Sequence, residues 1–180
     1  MFREATSFKR ALCGARWVNS KASKIEMFTD SSGFIAERAC FSPRNMEHLK
    51  KAVDACLKLS PVGVCSTELH GPIGEWDVSK VTQLDNIFAH AKAFNQDLSK
   101  WNVDRVTSIH NFLSHCESFN QDLSKWNVHK VTRMQGMFFR SIKFNSDISN
   151  WNVAKVFKMN AMFGTAVVFN QDLSKWDVAT

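Results

Sequence analysis

The sequence predicts an α/β repeat solenoid with a capping helix, because a 25-residue pattern recurs without insertion or deletion over residues 76–180. A tryptophan marks each recurrence, the residue two positions after it is valine, and the residue five positions after each of the first four is valine as well. The tryptophans are Trp76, Trp101, Trp126, Trp151 and Trp176. The other apolar positions keep the same phase. Units of this kind bury their apolar faces only by stacking on one another.

Two apolar spacings alternate within each unit. Leu98, Trp101 and Val103 have the spacing of a leucine-rich-repeat strand, in which alternate side chains enter the core. Over residues 106–116 the apolar residues are spaced as on one face of a short helix, and Thr107 stands where an N-cap residue would. Each unit is therefore predicted to contain one short parallel strand and one short helix.

The string WDVSKVTQLDNIFAHAKAFNQDLSKWNV, at residues 76–103, resembles the repeat of the BspA-like leucine-rich-repeat proteins of bacteria, protists and microalgae. The resemblance extends over residues 76–180. The chain departs from the repeat at Phe157, where the family has threonine, and at Ser146 and Asn150. The resemblance implies a surface or secreted module that interacts with other molecules, and for most members no defined activity.

Three segments follow from this pattern. Residues 1–41 are predicted to be the terminal coil and cysteine-containing cap of a preceding array, since MFREATSFKRAL fits the end of the unit. Residues 42–75 are predicted to form a capping helix and a linker. Residues 76–180 are predicted to be a solenoid of four leucine-rich-repeat-like units that runs on at the C-terminus, so that the chain is an excerpt of a longer protein.

The capping helix is predicted over residues 43–59, with Ser42 at the N-cap and Pro43 at the first helical position. Apolar residues recur along it at helical spacing. The end of a repeat array exposes its core unless a capping element covers it. A helix that binds a partner protein is the alternative interpretation.

The chain has five cysteines. Cys116 falls at a small inward position, so it is predicted to be a buried free thiol. The disulfide candidates are Cys13, Cys40, Cys56 and Cys65, which allow three pairings. Their order and the family resemblance favour Cys13–Cys40 and Cys56–Cys65, a pattern suited to an extracellular or luminal setting. A zinc site competes with this interpretation but lacks a C-x-x-C pair, so no metal site or cofactor is predicted.

Two polar columns precede the predicted strand, and both are interpreted as structural. Asparagines that stack from unit to unit can satisfy backbone groups at the bend, and aspartates can cap the next residues. A row of calcium ions between the aspartates is the alternative. The predicted structural ladder comprises Asn95, Asn120, Asn145, Asn170, Asp97, Asp122, Asp147 and Asp172.

Polar residues that alternate with the core residues of the predicted strand should point outward. They form a mildly basic face, which is the candidate binding surface, although a merely solvated sheet face fits the same pattern. The binding candidates are Ser99, Lys100, Asn102, Arg105, Ser124, Lys125, Asn127, Lys130, Lys155 and Lys175. His90 and His115 share a phase, but the next residues of their column make a metal pair improbable.

The function predicted is a non-catalytic scaffold, extracellular or on the cell surface, that binds a protein or a glycan through this face. The alternative is a structural or linker subunit of a large multiprotein assembly, in an organelle lumen or stroma. The repeat duplicates every Asp, Ser and Lys that could act in catalysis, whereas active sites are asymmetric. The net charge of +6 is spread evenly, which disfavours nucleic acid as a partner. No apolar run is long enough to span a membrane.

Overall fold

The computed structural model describes residues 11–12, 34–35, 41–65 and 70–178. The chain divides into two compact units, Met1–Phe41 and Ser42–Thr180. In the first unit, strand β1 (Ala11–Leu12) pairs in parallel with strand β2 (Phe34–Ile35). The rest of the predicted terminal coil and cap lies outside the described residues.

The second unit begins with helix α1 (Met46–Leu59). The helix begins three residues later than Pro43, because Asn45 rather than Ser42 is the N-cap and its side chain accepts from the His48 N–H at 2.9 Å. Its apolar face is buried at Leu49, Ala52, Val53 and Cys56. The Ser60 N–H bonds to the Cys56 carbonyl and ends the helix.

Helix α1 and the segment after it lie on the first repeat. Lys50 Nζ donates to the Ile87 carbonyl at 3.2 Å, and Gln96 Nε2 donates to the Val62 carbonyl at 2.9 Å. Gly63 has a φ of +86°, and a Cβ placed there would stand 2.8 Å from the Phe94 ring. This close approach and the left-handed conformation both require glycine.

The predicted α/β repeat solenoid is wrong. Over residues 76–178 the structure contains neither a helix nor a strand, and the inter-repeat pairing is limited to isolated bridges. Outside the repeats, the described residues add only α1, the two-residue strands and a short 3₁₀ helix, Ile73–Glu75. The second unit is instead a stack of turn-rich 25-residue repeats. Repeat 1 is 76–100, repeat 2 is 101–125, repeat 3 is 126–150 and repeat 4 is 151–175.

The predicted strand is replaced by two β-turns. The Trp101 N–H bonds to the Leu98 carbonyl at 3.0 Å, and the Val106 N–H bonds to the Val103 carbonyl at 2.8 Å. The turn from Leu98 to Trp101 also brings the Leu98 and Trp101 side chains into the core, so the same apolar spacing fits a turn as well as a strand. These backbone N–H and C=O groups therefore form hydrogen bonds within the repeat, whereas in a sheet they would form them with the neighbouring strand.

The predicted helix is replaced by a run of turns. Two positions in every repeat adopt positive φ, which interrupts a right-handed helix. The first holds Asn86 (φ 58°), Asn111 (φ 50°), Gly136 (φ 57°) and Ala161 (φ 55°), and the second holds His90 (φ 68°), His115 (φ 60°), Arg140 (φ 57°) and Thr165 (φ 56°). Every second N–H group of this run donates to a carbonyl of the next repeat. In an α-helix it would donate instead to the carbonyl four residues earlier in the chain.

Backbone hydrogen bonds join each repeat to the next. The N–H groups of Leu84, Asn86, Phe88 and His90 donate to carbonyls of repeat 2 at 2.8–3.0 Å. Repeats 2 and 3 make the same four bonds to their successors at 2.7–3.1 Å. Parallel bridges link Gln83, Ser108, Arg133 and Lys158 in one column. All repeats are therefore stacked in the same orientation. Repeats 2 and 3 form backbone hydrogen bonds with the repeat before and with the repeat after.

Aromatic stacks fill the core. Phe94 and Phe119 stack with ring centroids 6.0 Å apart, and Trp126 and Trp151 stack at 6.4 Å. From Trp101 onward the indole N–H donates to a carbonyl 28 residues earlier, as Trp126 Nε1 does to the Leu98 carbonyl at 3.0 Å. The core columns predicted from the 25-residue period are therefore buried in repeats 1 to 3 and only partly buried in repeat 4. The tryptophans also link neighbouring repeats through their indole hydrogen bonds.

Replacing Ala161 by glycine is expected to stabilise the stack by about 0.5–1 kcal/mol, because Ala161 is exposed and has a φ of 55° that an L-residue with a Cβ adopts only at a cost. Urea denaturation measures the change. Gly136→Ala is the matched variant in the same column: its Cβ would stand 2.2 Å from Asn111 Oδ1, so it should lose stability. Equal effects of the two changes would contradict this reasoning.

Within the part of the chain that the structure describes, no helix is both long and apolar enough to cross a membrane.

Candidate functional site

The residues of the predicted binding face lie at the corners of the two turns in each repeat or, for Asn102 and Asn127, between the two turns, and we call this surface the turn face. Ser99 and Lys100 occupy the turn between Leu98 and Trp101, and Arg105 occupies the turn that ends at Val106. The turn face comprises Ser99, Lys100, Asn102, Arg105, Ser124, Lys125, Asn127, Lys130, Lys155 and Lys175. Its lysine, arginine and asparagine side chains are exposed, and its two serines are half-buried. The face is made of turns and not of a sheet.

The charge of the turn face is mostly basic. Lys100 forms an ion pair with Glu75 of the preceding 3₁₀ helix. At the far end, a shallow open depression of about 470 Å³ is lined by Ser149, Asn150, Asn152 and Lys175, among others. The face therefore offers repeated cations and amide groups, together with a shallow depression.

The aspartate column caps the first turn of each repeat. Asp122 Oδ1 accepts from the Ser124 N–H at 2.8 Å, and Asp97, Asp147 and Asp172 make the same bond at 2.8–2.9 Å. Hydrogen bonds from the Ser124 side chain and backbone hold the pKa of Asp122 below its ordinary value. The Ser149 backbone N–H acts likewise on the pKa of Asp147. Each carboxylate thus has a local structural partner.

Low pH is expected to weaken the stack through these caps. Because the folded-state pKa of Asp122, Asp147 and Asp172 is lowered, their contribution is complete above about pH 4 and is lost as pH falls through the folded pKa. Urea denaturation between about pH 6 and pH 2 should show this loss. Changing all three aspartates to asparagine keeps the acceptor oxygen but removes the titrating group. The free energy of unfolding of this variant should therefore depend less on pH. Changing them to alanine should lower stability across the whole range, and an unchanged slope in the asparagine variant would contradict the prediction.

The asparagine column connects repeats. Asn95 Oδ1 accepts from the Asn120 N–H at 2.9 Å, Asn120 Oδ1 from the Asn145 N–H at 2.8 Å, and Asn145 Oδ1 from the Asn170 N–H at 2.8 Å. Gln121 Nε2 adds a second donor to Asn95 Oδ1. These amides satisfy backbone groups where the chain bends, which is a structural use of the column.

Two described cysteines form a disulfide and one is free. Cys56 and Cys65 are joined, with their Cα atoms 5.5 Å apart. Cys13 and Cys40 lie outside the described residues. Cys116 is a free buried thiol whose Sγ donates to the Phe88 carbonyl at 3.1 Å. Burial raises its pKa to about 12, so it is not a reactive thiol.

His90 and His115 stack on each other, with ring centroids 4.3 Å apart. Ser114 Oγ lies 3.0 Å from His115 Nδ1, so that ring nitrogen has a local partner. Desolvation, with the neighbouring His90 and Arg140, lowers the pKa of His115. Among the residues that the structure describes, no three His, Cys, Asp or Glu side chains are grouped as metal ligands.

A polar cluster that the sequence pattern did not predict lies beside the column of parallel bridges. Asp85 Oδ1 accepts from the Ser108 hydroxyl and from the His110 N–H, and Arg133 lies 3.6 Å from Asp85 Oδ2. Gln135 Oε1 is buried without a hydrogen-bond partner. These residues stand in columns that vary from repeat to repeat, unlike the aspartate column. This variation between repeats was the feature of the sequence that could have indicated the cluster.

The polar cluster lacks the geometry of a nucleophile and its base. Ser108 is fully buried, and its hydroxyl bonds to Asp85 rather than to histidine. His110 Nδ1 lies 3.1 Å from the Gln135 carbonyl, and its Nε2 lies 3.1 Å from Asn111 Nδ2. Both ring nitrogens are thus engaged by the protein. The arrangement orders neighbouring repeats without presenting a free base to a substrate.

Comparison with known proteins gives one family match. Residues 123–180 match a profile described as "Mycoplasma protein of unknown function, DUF285". The match spans about a third of the chain. The matched family is related to BspA-like surface repeats, but the match does not confirm that the repeats are leucine-rich repeats. No curated protein matches the chain, and no solved structure does.

Proposed function

We propose that this protein is a non-catalytic interaction module that binds a protein or a glycan through the turn face. The observation that carries the proposal is the repeated outward display of Lys and Arg at the turn corners and of Asn between the turns, on a backbone that the core and the caps hold in place. A rigid surface loses little conformational entropy on binding, which favours affinity. The basic columns fit a partner with acidic groups.

Two further observations support a binding function over catalysis. The polar groups that repeat are used as caps and ladders, as the Asp122 and Asn120 bonds illustrate. The asymmetric cluster around Asp85 has its hydroxyl buried and its imidazole nitrogens engaged. Active sites instead present an accessible, asymmetric set of groups with shifted pKa values.

Charge reversal on the turn face tests the proposal. A partner is captured under native conditions with the unaltered chain, and its affinity is then measured for the variant Lys100→Glu, Arg105→Glu, Lys125→Glu. We expect a loss of about tenfold or more, because each change replaces attraction by repulsion. The matched control reverses Lys58, Lys143 and Lys158, which are exposed and lie outside the turn face. Unchanged affinity of the turn-face variant would show that the partner binds elsewhere.

A structural subunit of a large assembly is the second candidate. The observation that favours it is the continuous ladder of backbone bonds and stacked rings from repeat 1 to repeat 4, which makes the stack suited to a spacer. If the protein has this role, a partner should bind the turn-face variant and the control variant with equal affinity. The protein and its partner should also stay together when the assembly is purified from cells.

We also propose an oxidising location, extracellular or on the cell surface, with an organelle lumen as the alternative. The Cys56–Cys65 disulfide supports it, because disulfides persist in such compartments and are rare in reducing ones. Mass spectrometry of the protein isolated from its native cells, after alkylation of free thiols without reductant, would decide the matter. Alkylated Cys56 and Cys65 would contradict this location.

A further inference from the structure

One surface column of the stack consists only of cations. The position before the valine that closes the second turn is basic in all four repeats, and all four side chains are exposed. Each of these turns is closed by the same bond, from the N–H of that valine to the carbonyl three residues earlier, at 2.8 Å. We call this column the cation row, and it comprises Lys80, Arg105, Lys130 and Lys155. It adds Lys80 to three members of the turn face.

The cation row advances by one hydrogen-bonded step from each repeat to the next. The Thr82 carbonyl, two residues after Lys80, accepts from the Thr107 N–H, two residues after Arg105, at 2.8 Å. The same bond recurs in the next two steps at 2.9 and 3.1 Å. Backbone segments that are joined in this way lie about 4.8 Å apart. The row therefore places one cation at each of four nearly even steps.

The charges of the cation row are not balanced within the described part of the chain. None of its four side chains forms an ion pair there. By contrast, Lys92 and Glu117, which also share one column, pair at 3.1 Å. The other corner of the same turn supplies one carboxylate to four cations, since it holds Ser79, Asp104, His129 and Ala154. Like charges in series repel one another, so a partner with anionic groups at the same interval would relieve this repulsion.

Asparagine amides accompany the cation row. Asn102 Oδ1 accepts from the Asp104 N–H at 3.0 Å, and Asn152 Oδ1 accepts from the Ala154 N–H at 3.2 Å. Both asparagines are exposed, and no described residue accepts from either amide NH₂ group. The turn uses the oxygen, so the NH₂ group is the part that can donate to a ligand. Hydroxyl and carboxylate oxygens are suitable acceptors beside the cations.

The turn face has no large apolar anchor. Tight protein interfaces are centred on aromatic and aliphatic side chains, and single-stranded nucleic acids stack their bases on aromatic rings. Among the described residues, the exposed large apolar side chains all lie off the turn face, at Leu59, Val62, Val64, Ile142, Phe157, Val167, Val168 and Val178. Cations, amides and hydroxyls without an anchor therefore favour a glycan over a folded protein or a nucleic acid.

We propose that the cation row binds an extended acidic polysaccharide, aligned along the stack, with one carboxylate or sulfate group on each sugar. The anionic groups pair with successive cations, and sugar hydroxyls accept from the asparagine amides. A pyranose unit is close in length to one repeat step, so the two series of charges keep register. Acidic side chains on one face of an extended peptide are about 6.6 Å apart and lose register with a step of about 4.8 Å. This inference rests on the interaction function proposed above and specifies its ligand.

Isothermal titration calorimetry of the full chain with oligogalacturonate and with dextran sulfate oligosaccharide tests the proposal. The row variant carries Lys80→Gln, Arg105→Gln, Lys130→Gln and Lys155→Gln. We expect it to bind about tenfold or more weakly than the unaltered chain, because four exposed ion pairs are lost. Its affinity should also depend less steeply on salt concentration. The matched control removes one arginine and three lysines that are exposed elsewhere, by Arg44→Gln, Lys51→Gln, Lys58→Gln and Lys143→Gln. It should bind as tightly as the unaltered chain.

Row-dependent binding of either glycan supports the proposal, and the tighter of the two identifies the anionic group. Failure of both glycans to bind, or an equal loss in the control variant, would overturn it. Polyglutamate or oligothymidylate that binds more tightly than both glycans, with the same dependence on the row, would assign the row to an acidic peptide or to nucleic acid instead. Urea denaturation checks the fold of the row variant, and we expect no loss of stability because like charges are removed.

The outcome for the glycan is separable from the outcome for the proposed function. If neither glycan binds while a captured partner still depends on Lys100, Arg105 and Lys125, the glycan assignment is wrong and the interaction function stands. If a glycan binds through the row while the captured partner ignores the charge reversal, the turn face binds the glycan and that partner binds elsewhere.

Discussion

Replacing Trp126 by alanine is expected to lower the free energy of unfolding of the repeat stack by about 3–5 kcal/mol. Trp126 is only 4% exposed, and its ring packs on Phe112 at 5.5 Å and on Trp151 at 6.4 Å. Alanine would leave a cavity between two repeats. It would also remove the indole bond to the Leu98 carbonyl.

Two further variants separate these contributions in urea denaturation. Trp126→Phe keeps much of the ring volume and loses the indole donor, so it should cost less than Trp126→Ala. Trp176→Ala is the matched control, because Trp176 is half-buried and makes the same kind of indole bond to the Ile148 carbonyl. A loss at Trp176 as large as that at Trp126 would show that burial between two repeats is not what makes the tryptophan important.

Removing the Cys56–Cys65 disulfide by the double change to serine is expected to lower the free energy of unfolding by about 2–3 kcal/mol. The bond closes a short loop, since its cysteines are nine residues apart, and it joins the end of α1 to the segment that lies on repeat 1. In the reduced chain the unfolded state gains freedom, and α1 loses an anchor beside the Val62–Gln96 contact.

Thermal and urea unfolding of the double variant measure this loss. Cys56→Ser alone should lose about as much stability as the double variant, since either change removes the bond. Cys116→Ser is the control for the chemical change, because serine already occupies the same column at Ser141 and donates to the Leu113 carbonyl at 2.6 Å. A loss at Cys116 that equals the loss in the double variant would contradict the assignment.

The 25-residue period was enough to predict which side chains are buried in repeats 1 to 3. Leu98, Trp101 and Val103 are all at most 3% exposed, as their phase predicts. The period alone did not show which backbone conformation places these side chains in the core. A turn closed between Leu98 and Trp101 places both side chains in the core, and a strand with the same spacing would do the same. The Asp97 side chain, which accepts from the Ser99 N–H, favours the turn.

The turn run that replaces the predicted helix did leave a signal in the sequence. Asn86, Asn111 and Gly136 share one column, and these are the residue types that adopt positive φ most readily. Ala161, Arg140 and Thr165 obscure this pattern, because the stack imposes positive φ on residue types that do not favour it. Inter-repeat bonds thus override local preference, which a single repeat read alone does not reveal.

The candidate site was predictable only in part. The outward residues of the turn face follow from the inward ones, because each turn places two residues at its corners. The cluster of Asp85, Ser108, His110 and Arg133 did not follow, because its residues come from two bonded columns and three repeats. Only the hydrogen-bonding register between repeats brings such side chains together.

The tryptophan stack gives the protein an optical signature of its own. The chain has six tryptophans and no tyrosine, and the rings of Trp126, Trp151 and Trp176 follow one another with interplanar angles of 8° and 5°. Near-parallel indoles this close couple their electronic transitions, so the near-ultraviolet circular dichroism reports on the spacing between repeats. Loosening of the stack can therefore be followed without any added label.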